Sequence, residues 1–252
     1  MMGCVVFIGA GPGAADLITM RGARRLADAE VVLFDALTDP ALRDMAPRAR
    51  WIDVGKRGFS QATGQATINA MLVHLATQHT TVVRLKGGDP SIFGRLEEEL
   101  EALAQHGIEC EVVPGVTAAI AAAAATRRPL TRRGSGRSVS LTTAMTRDGH
   151  LQGGRHADTE VFYMAGRQLA ALGRRLLGAG WPASAPVNVV SRAGWPDQLA
   201  SDHSLADLGS AALLHAGRAT VVVVGAGAAP TGASPAGVAT RNTRTAVPGR
   251  AS

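Results

Sequence analysis

Among 26 Lys plus Arg residues only two are Lys, namely Lys56 in VGKRG and Lys86 directly before a glycine turn. A chain that writes nearly every positive charge as Arg but keeps Lys here points to a compact ammonium, or to a group able to release a proton, which guanidinium cannot do. Two survivors of a composition bias would look the same. Lys86 belongs to TVVRLKGGDPSIFGR, residues 81–95, where an apolar run passes into Gly-Gly-Asp-Pro and then toward a helix. A turn at the carboxyl end of a parallel strand is where open α/β sheets gather backbone N–H groups around a small molecule. Five arginines, Arg127, Arg128, Arg132, Arg133 and Arg137, fall within eleven positions and have no aromatic residue among them. Such a cluster suits bidentate contacts to several carboxylates better than stacking on bases. A solvated basic linker has the same composition.

These residues need elements to hold them. Short apolar runs at 4–8, 31–34, 51–54, 81–85 and 110–113 alternate with helical patterns near 17–29, 65–78 and 95–106. The alternation predicts a mostly parallel sheet covered on both faces. An Ala-rich helix follows at VTAAIAAAAAT, whose small side chains permit the close approach of a neighbouring helix or a ligand. The Arg-rich segment around 129–136 breaks the pattern and marks a domain boundary. A second set of elements comprises strands at 138–143, 160–163, 187–190, 198–202 and 219–224, with helices at 168–178 and 205–215. Two α/β domains, 1–130 and 131–228, with a cleft between them are expected.

Composition narrows the function classes. With 46% hydrophobic and 18% charged residues in 252, the chain reads as globular. The formal charge is +6, but residues 229–252 carry Arg241, Arg244 and Arg250 with no acidic group, so half the excess lies in a tail. That tail is rich in Ala, Gly, Thr and Pro and lacks aromatics, so disorder is expected there. No apolar run approaches the ~20 residues that cross a bilayer, and no leader pattern opens the chain, so a cytoplasmic protein is expected. Cys4 and Cys110, each opening a strand, read as packed free thiols, and the seven scattered His residues predict no metal site. The first turn, IGAGPG, lacks the third glycine of GxGxxG and carries Pro12, which removes a donor, so a nicotinamide or flavin cofactor is not expected.

Seven segments carry a family resemblance: IGAGPGAADLIT, VVLFDALTDP, DVGKRG, VVRLKGGDPSIFGR, VVPGVTAA, VFYMAG and PVNVVSRAGWPDQ. In this order and spacing the chain resembles the uroporphyrinogen-III C-methyltransferases of the tetrapyrrole methylase superfamily, from about residue 5 to 225. The resemblance implies a two-domain α/β homodimer with a mostly parallel N-terminal sheet, a mixed C-terminal sheet and an interdomain cleft. S-adenosylmethionine, the methyl donor, would bind there against Pro12, Gly87, Gly88, Asp89, Ile92, Thr117, Ala118, Met164, Ala193 and Thr220. It also implies Asp35 as proton acceptor, Lys56 as proton donor or electrostatic partner, and two methyl transfers to uroporphyrinogen III, giving precorrin-2 on the route to siroheme and cobalamin. Arg57, Arg95, Arg132 and Arg133, placed near the motif loops, are candidates for the eight carboxylates of that substrate. No nucleic acid, membrane or metal is implied.

Other readings of the same residues stay open. Asp89 beside Gly and Pro can be a turn-stabilising cap, and Met164 can be core. The chain departs from the family pattern at Arg132 in PLTRRG, at Leu96 and Glu97 in FGRLEEE, and around Thr143 to Met145 and Ser191 to Arg192. A methyltransferase acting on a later corrinoid precursor, a nucleic-acid-binding or RNA-modifying protein, and a silent cofactor-binding relative are the alternatives.

Overall fold

The computed structural model describes residues 3–35, 37–55, 64–144 and 151–231. The first half contains β1 (Cys4–Gly9), α1 (Met20–Ala27), β2 (Val31–Phe34), β3 (Arg50–Asp53), α2 (Gln65–Gln78), β4 (Thr81–Lys86), α3 (Leu96–Ala104), β5 (Cys110–Val113) and α4 (Ala118–Thr126). Its five strands form one sheet in the order β3-β2-β4-β1-β5, with every pair parallel. Val5, Phe7, Val31, Leu33 and Val82 face α2 and α3, whereas Val6, Ile8, Val32, Phe34, Val83 and Leu85 face Leu26 of α1. Burial on both faces explains why these strands are continuous apolar runs. Central β1 and β4 end side by side, and the chain leaves them toward opposite edges of the sheet, which opens a crevice at their carboxyl ends.

The second half contains β6 (Val139–Thr143), β7 (Thr159–Tyr163), α5 (Leu169–Gly178), β8 (Pro186–Ser191), β9 (Leu199–Ser204), α6 (Ala211–Leu214) and β10 (Thr220–Gly225). The sheet order is β6-β7-β10-β8-β9, parallel only between β6 and β7. One face packs Phe162, Val187, Val189, Val222 and Val224 on α5. On the other face Ala119, Ala121 and Ala122 of α4 lie against Val161, Val221, Val223 and Val190. The Ala-rich helix therefore serves close packing on a sheet, and it ties the two halves together.

Three expectations need correction. The helix expected at 205–215 is a 3-10 turn at Leu208–Ser210 followed by a single helical turn, α6. Gly209 is a poor helix former, and Ser210 Oγ donates to the Asp207 carbonyl at 2.7 Å, competing with helical pairing. Cys110 is exposed and not packed, because β5 is an edge strand. The first helix starts three residues later than expected, where Thr19 Oγ1 accepts from Gly22 N at 3.1 Å as an N-cap. Of the expected tail, Ala229 and Pro230 offer carbonyls to Arg132, and Thr231 Oγ1 donates to the Arg127 carbonyl at 3.0 Å. Residues 232–252 lie outside the described residues. No helix among the described residues is long and apolar enough to cross a membrane.

Candidate active site

Three loops meet at the carboxyl edge of the first sheet. Gly11 and Gly88 exchange backbone hydrogen bonds of 3.2 and 2.7 Å, joining the turn after β1 to the turn after β4. The turn after β5 closes on both: a Cβ on Gly9 would lie 2.5 Å from Gly115 Cα, and one on Gly115 would collide with the Gly88 carbonyl. Only glycines allow this approach. Asp89 fastens the junction, its Oδ2 accepting from Gly115 N and its Oδ1 from Ser91 N, each at 2.8 Å. Asp89 is thus an Asx cap, with further lone pairs on both oxygens. Gly88 has φ +73°, and a Cβ there would point into the gap toward Thr117 Cα, 3.8 Å away. A Cβ on Gly87 would stand 3.3 Å from Leu37 Cβ, so the loop that follows Asp35 borders the same turn.

The second half closes over this edge. Trp195 Nε1 donates to the Pro12 carbonyl at 3.0 Å, and Ala14 N donates to the Gly194 carbonyl at 2.8 Å. Across the mouth Thr117 Oγ1 lies 2.8 Å from the Tyr163 hydroxyl, and the Phe93 and Tyr163 rings meet edge to face at 5.0 Å. Burial pushes the Tyr163 hydroxyl pKa up, against the hydrogen bonds from Thr117 and Ala119 N. Ile92 and Ala118 pack in the apolar cluster that contains Tyr163. Met164 follows with φ +58° and 53% exposure, an unusual backbone for a non-glycine residue and an unusual position for a large apolar side chain. It is not core.

Pro12, Gly87, Gly88, Asp89, Ile92, Thr117, Ala118 and Met164 are therefore gathered around one mouth. Ala193 is buried against Ala121, Ala122 and Val190. Thr220 is buried as well, 2.8 Å from Ser191 Oγ and donating to the Arg218 carbonyl at 2.9 Å, so its hydroxyl is committed inside the second sheet.

Asp35 follows β2 at the same edge, where Phe34 pairs with Leu85 of β4. Its Oδ1 accepts from Arg84 Nη2 at 2.7 Å. Arg84 Nε donates to Glu99 Oε1 at 2.9 Å, and Lys86 Nζ stands 2.5 Å from Glu99 Oε2. The side chains of Arg84 and Glu99 are 3% and 0% exposed, while that of Asp35 is 32% exposed, so the network runs from the interior to the cleft. Burial works against the Arg84 cation, yet Asp35 and Glu99 together hold its pKa above the ordinary value. Burial and the neighbouring Arg84 charge pull the Lys86 pKa down, against the attraction of Glu99.

Arg84 and Glu99 were not among the expected site residues, although the signal is in the sequence. Arg84 and Lys86 alternate within an apolar strand, which puts both on one face. Glu99 shares a helix face with Leu96, Leu100 and Leu103, so a carboxylate falls on an apolar stripe.

Lys56 and Arg57 lie outside the described residues. Arg95 makes a bidentate pair with Glu98, both bonds 2.7 Å, and borders a groove of about 470 Å³ with Pro90, Phe93, Leu96 and Leu100. Arg132 binds the carbonyls of Ala229 and Pro230, and Arg133 is exposed beside it. Both follow Leu130, whose carbonyl accepts from Thr159 at the start of β7, on the order of 13 Å along the strand from Tyr163, the residue before Met164. The structure does not bring these two arginines to the mouth, because their segment returns to the opposite end of β7.

Comparison with known proteins agrees with this architecture. A family model described as tetrapyrrole (corrin/porphyrin) methylases matches residues 4–209. The chain is 42% identical over 212 residues to a uroporphyrinogen-III C-methyltransferase of Pseudomonas aeruginosa, covering 82% of this chain and 86% of that one. It is 43% identical to a siroheme synthase of Pseudomonas putida, covering 88% of this chain but only about half, 50%, of that longer protein. Among solved structures, a uroporphyrin-III C-methyl transferase from Thermus thermophilus complexed with S-adenyl homocysteine superposes with a TM-score of 0.78 at 32% identity, covering 88% and 97% of the two chains. A cobalt precorrin-4 methyltransferase also superposes with a TM-score of 0.78, at 28% identity over 90% and 96%. The family-model match, the sequence kinship and the superposition agree, and the chain is a member of the tetrapyrrole methylases.

Proposed function

We propose that this chain uses S-adenosylmethionine to methylate uroporphyrinogen III at carbon, twice, giving precorrin-2 by way of precorrin-1. The observation that carries the reading is the convergence of the Gly11–Gly88 junction, Thr117 and the exposed Met164 on one mouth. The relatives support it, because they include a uroporphyrinogen-III C-methyltransferase and a methyl transferase bound to S-adenyl homocysteine. Siroheme synthases, of which the chain spans about half, support a place in siroheme or cobalamin formation.

The residues fit an S-adenosyl group. Gly88 leaves room beside Thr117 that a side chain would fill, and the free lone pairs of Asp89 can accept from a ribose hydroxyl or an amino group. Met164 offers a polarizable apolar surface held out from the second sheet. Bound there, the group supplies an electrophilic methyl on a cationic sulfur. Once a pyrrole carbon has formed its bond to the methyl, the macrocycle has to lose a proton, and the Asp35 carboxylate is the acceptor at the cleft. General-base help of this kind contributes roughly 10²–10⁴ in rate, and positioning supplies much of the remainder. Lys56 as proton donor, and Arg57 and Arg95 as partners of the substrate carboxylates, belong to the same proposal, together with a homodimeric, cytoplasmic enzyme.

Asp35→Asn tests the assignment. The variant is expected to keep its calorimetric affinity for S-adenosylhomocysteine and to lose turnover, and full activity would remove Asp35 as the base.

A further inference from the structure

We infer that Arg84 is a positioning residue for Asp35, held in register by a buried Glu99–Lys86 pair. The inference rests on the reading of Asp35 as the base. One planar guanidinium touches both carboxylates, Nη2 on Asp35 Oδ1 at 2.7 Å and Nε on Glu99 Oε1 at 2.9 Å, while Nη1 donates to the Leu85 carbonyl at 3.2 Å. Three fixed contacts on a side chain that is 3% exposed leave Arg84 no other rotamer. Lys86 fills the remaining oxygen of Glu99, and Gln65 Nε2 donates to Oε1 at 3.3 Å, so Glu99 cannot swing away from Arg84.

Two cations and two carboxylates make the set neutral, which lets it stay charged inside the fold. Asp35 is the one member with a substantial solvent face. Its Oδ1 is occupied by Arg84, and its Oδ2 takes no hydrogen bond from the described residues. The geometry thus fixes which oxygen faces the cleft. That oxygen receives the proton when a carbon–hydrogen bond of the methylated macrocycle breaks and its electron pair returns to the ring.

The role predicts a separation of effects. Arg84→Met leaves the Glu99–Lys86 pair intact and Asp35 able to turn to solvent, so the fold keeps its buried charges paired. Arg84→Lys retains the charge but reaches only one carboxylate at a time. Turnover of uroporphyrinogen III is expected to fall about 10-fold in Arg84→Lys and about 100-fold in Arg84→Met, the loss typical of a displaced catalytic group. KM for both substrates and the affinity for S-adenosylhomocysteine are expected to stay at wild-type levels.

Wild-type kcat in either variant overturns the inference, as does a kcat loss matched by an equal loss of cofactor affinity. If Arg84→Met does not fold, the kcat and KM of Arg84→Lys decide by themselves. Asp35→Asn measured alongside separates the two readings. An inactive Asp35→Asn with a fully active Arg84→Met sinks the positioning role alone, whereas an active Asp35→Asn sinks the base assignment beneath it.

Discussion

The Tyr163 hydroxyl lies 2.8 Å from Thr117 Oγ1 and links the end of β7 to the N-terminus of α4 at the mouth of the cleft. Each of the two residues stands next to a proposed cofactor contact, Met164 on one side and Ala118 on the other. Tyr163→Phe keeps the edge-to-face contact with Phe93 and removes only the hydroxyl. The expected cost is about 1 kcal/mol of stability, read from chemical denaturation, with weaker S-adenosylhomocysteine binding by calorimetry. Unchanged affinity would show that this link does not shape the cofactor site.

Gly88 combines φ +73° with a position where a side chain would enter the cradle. Gly88→Val should therefore abolish S-adenosylhomocysteine binding while the protein remains folded by circular dichroism, since a β-branched residue tolerates that backbone poorly. Gly88→Ala should weaken binding by a smaller factor. Normal affinity in the valine variant would contradict the proposed loop.

The buried charge set makes a prediction about stability that is independent of catalysis. Glu99→Gln leaves Arg84 and Lys86 facing a single carboxylate, Asp35, and breaking a buried pair in this way costs on the order of 3–5 kcal/mol. Adding Lys86→Met restores equal numbers of cations and carboxylates. The double variant should be more stable to denaturant than Glu99→Gln alone, and purely additive losses would contradict the neutral-set account.

A second polar cluster governs acid sensitivity. His215 is fully buried, with Ser191 Oγ 2.5 Å from Nδ1 and Ser201 Oγ 2.8 Å from Nε2. Burial first, and then the charges of His203 and Arg218, press its pKa from the ordinary 6.5 to about 4. Between these values the unfolded chain binds a proton that the folded protein refuses, so stability rises with pH through the window. The contribution is complete above 6.5 and is lost as the pH falls toward 4, on the order of 3 kcal/mol in all. His215→Gln should flatten the dependence of Tm on pH in this range, and an equally steep dependence would assign the effect to other groups.

The legible and illegible parts of this chain divide for physical reasons. Strands such as β2 and β4 are buried on both faces, so their apolar runs located them to within a residue, and the glycine turn after β4 stood at a sheet edge as expected. The Asp89 cap was legible as an alternative because Asp beside Gly and Pro has local partners. Arg84 and Glu99 escaped because their meeting depends on how α3 packs over β4, which no local pattern encodes. Met164 could not be told from core, since its exposure follows from a left-handed backbone at one residue. Arg132 and Arg133 stand near the start of β7, away from the mouth, because distance in sequence from a motif loop says little about which end of a strand the chain returns to.

The most direct test is anaerobic incubation of the protein with uroporphyrinogen III and S-adenosylmethionine, followed by mass analysis of the tetrapyrrole. The account predicts a product heavier by two methyl groups, formed by the wild type and absent with Asp35→Asn. A product carrying one methyl group or none from the wild-type protein would contradict it.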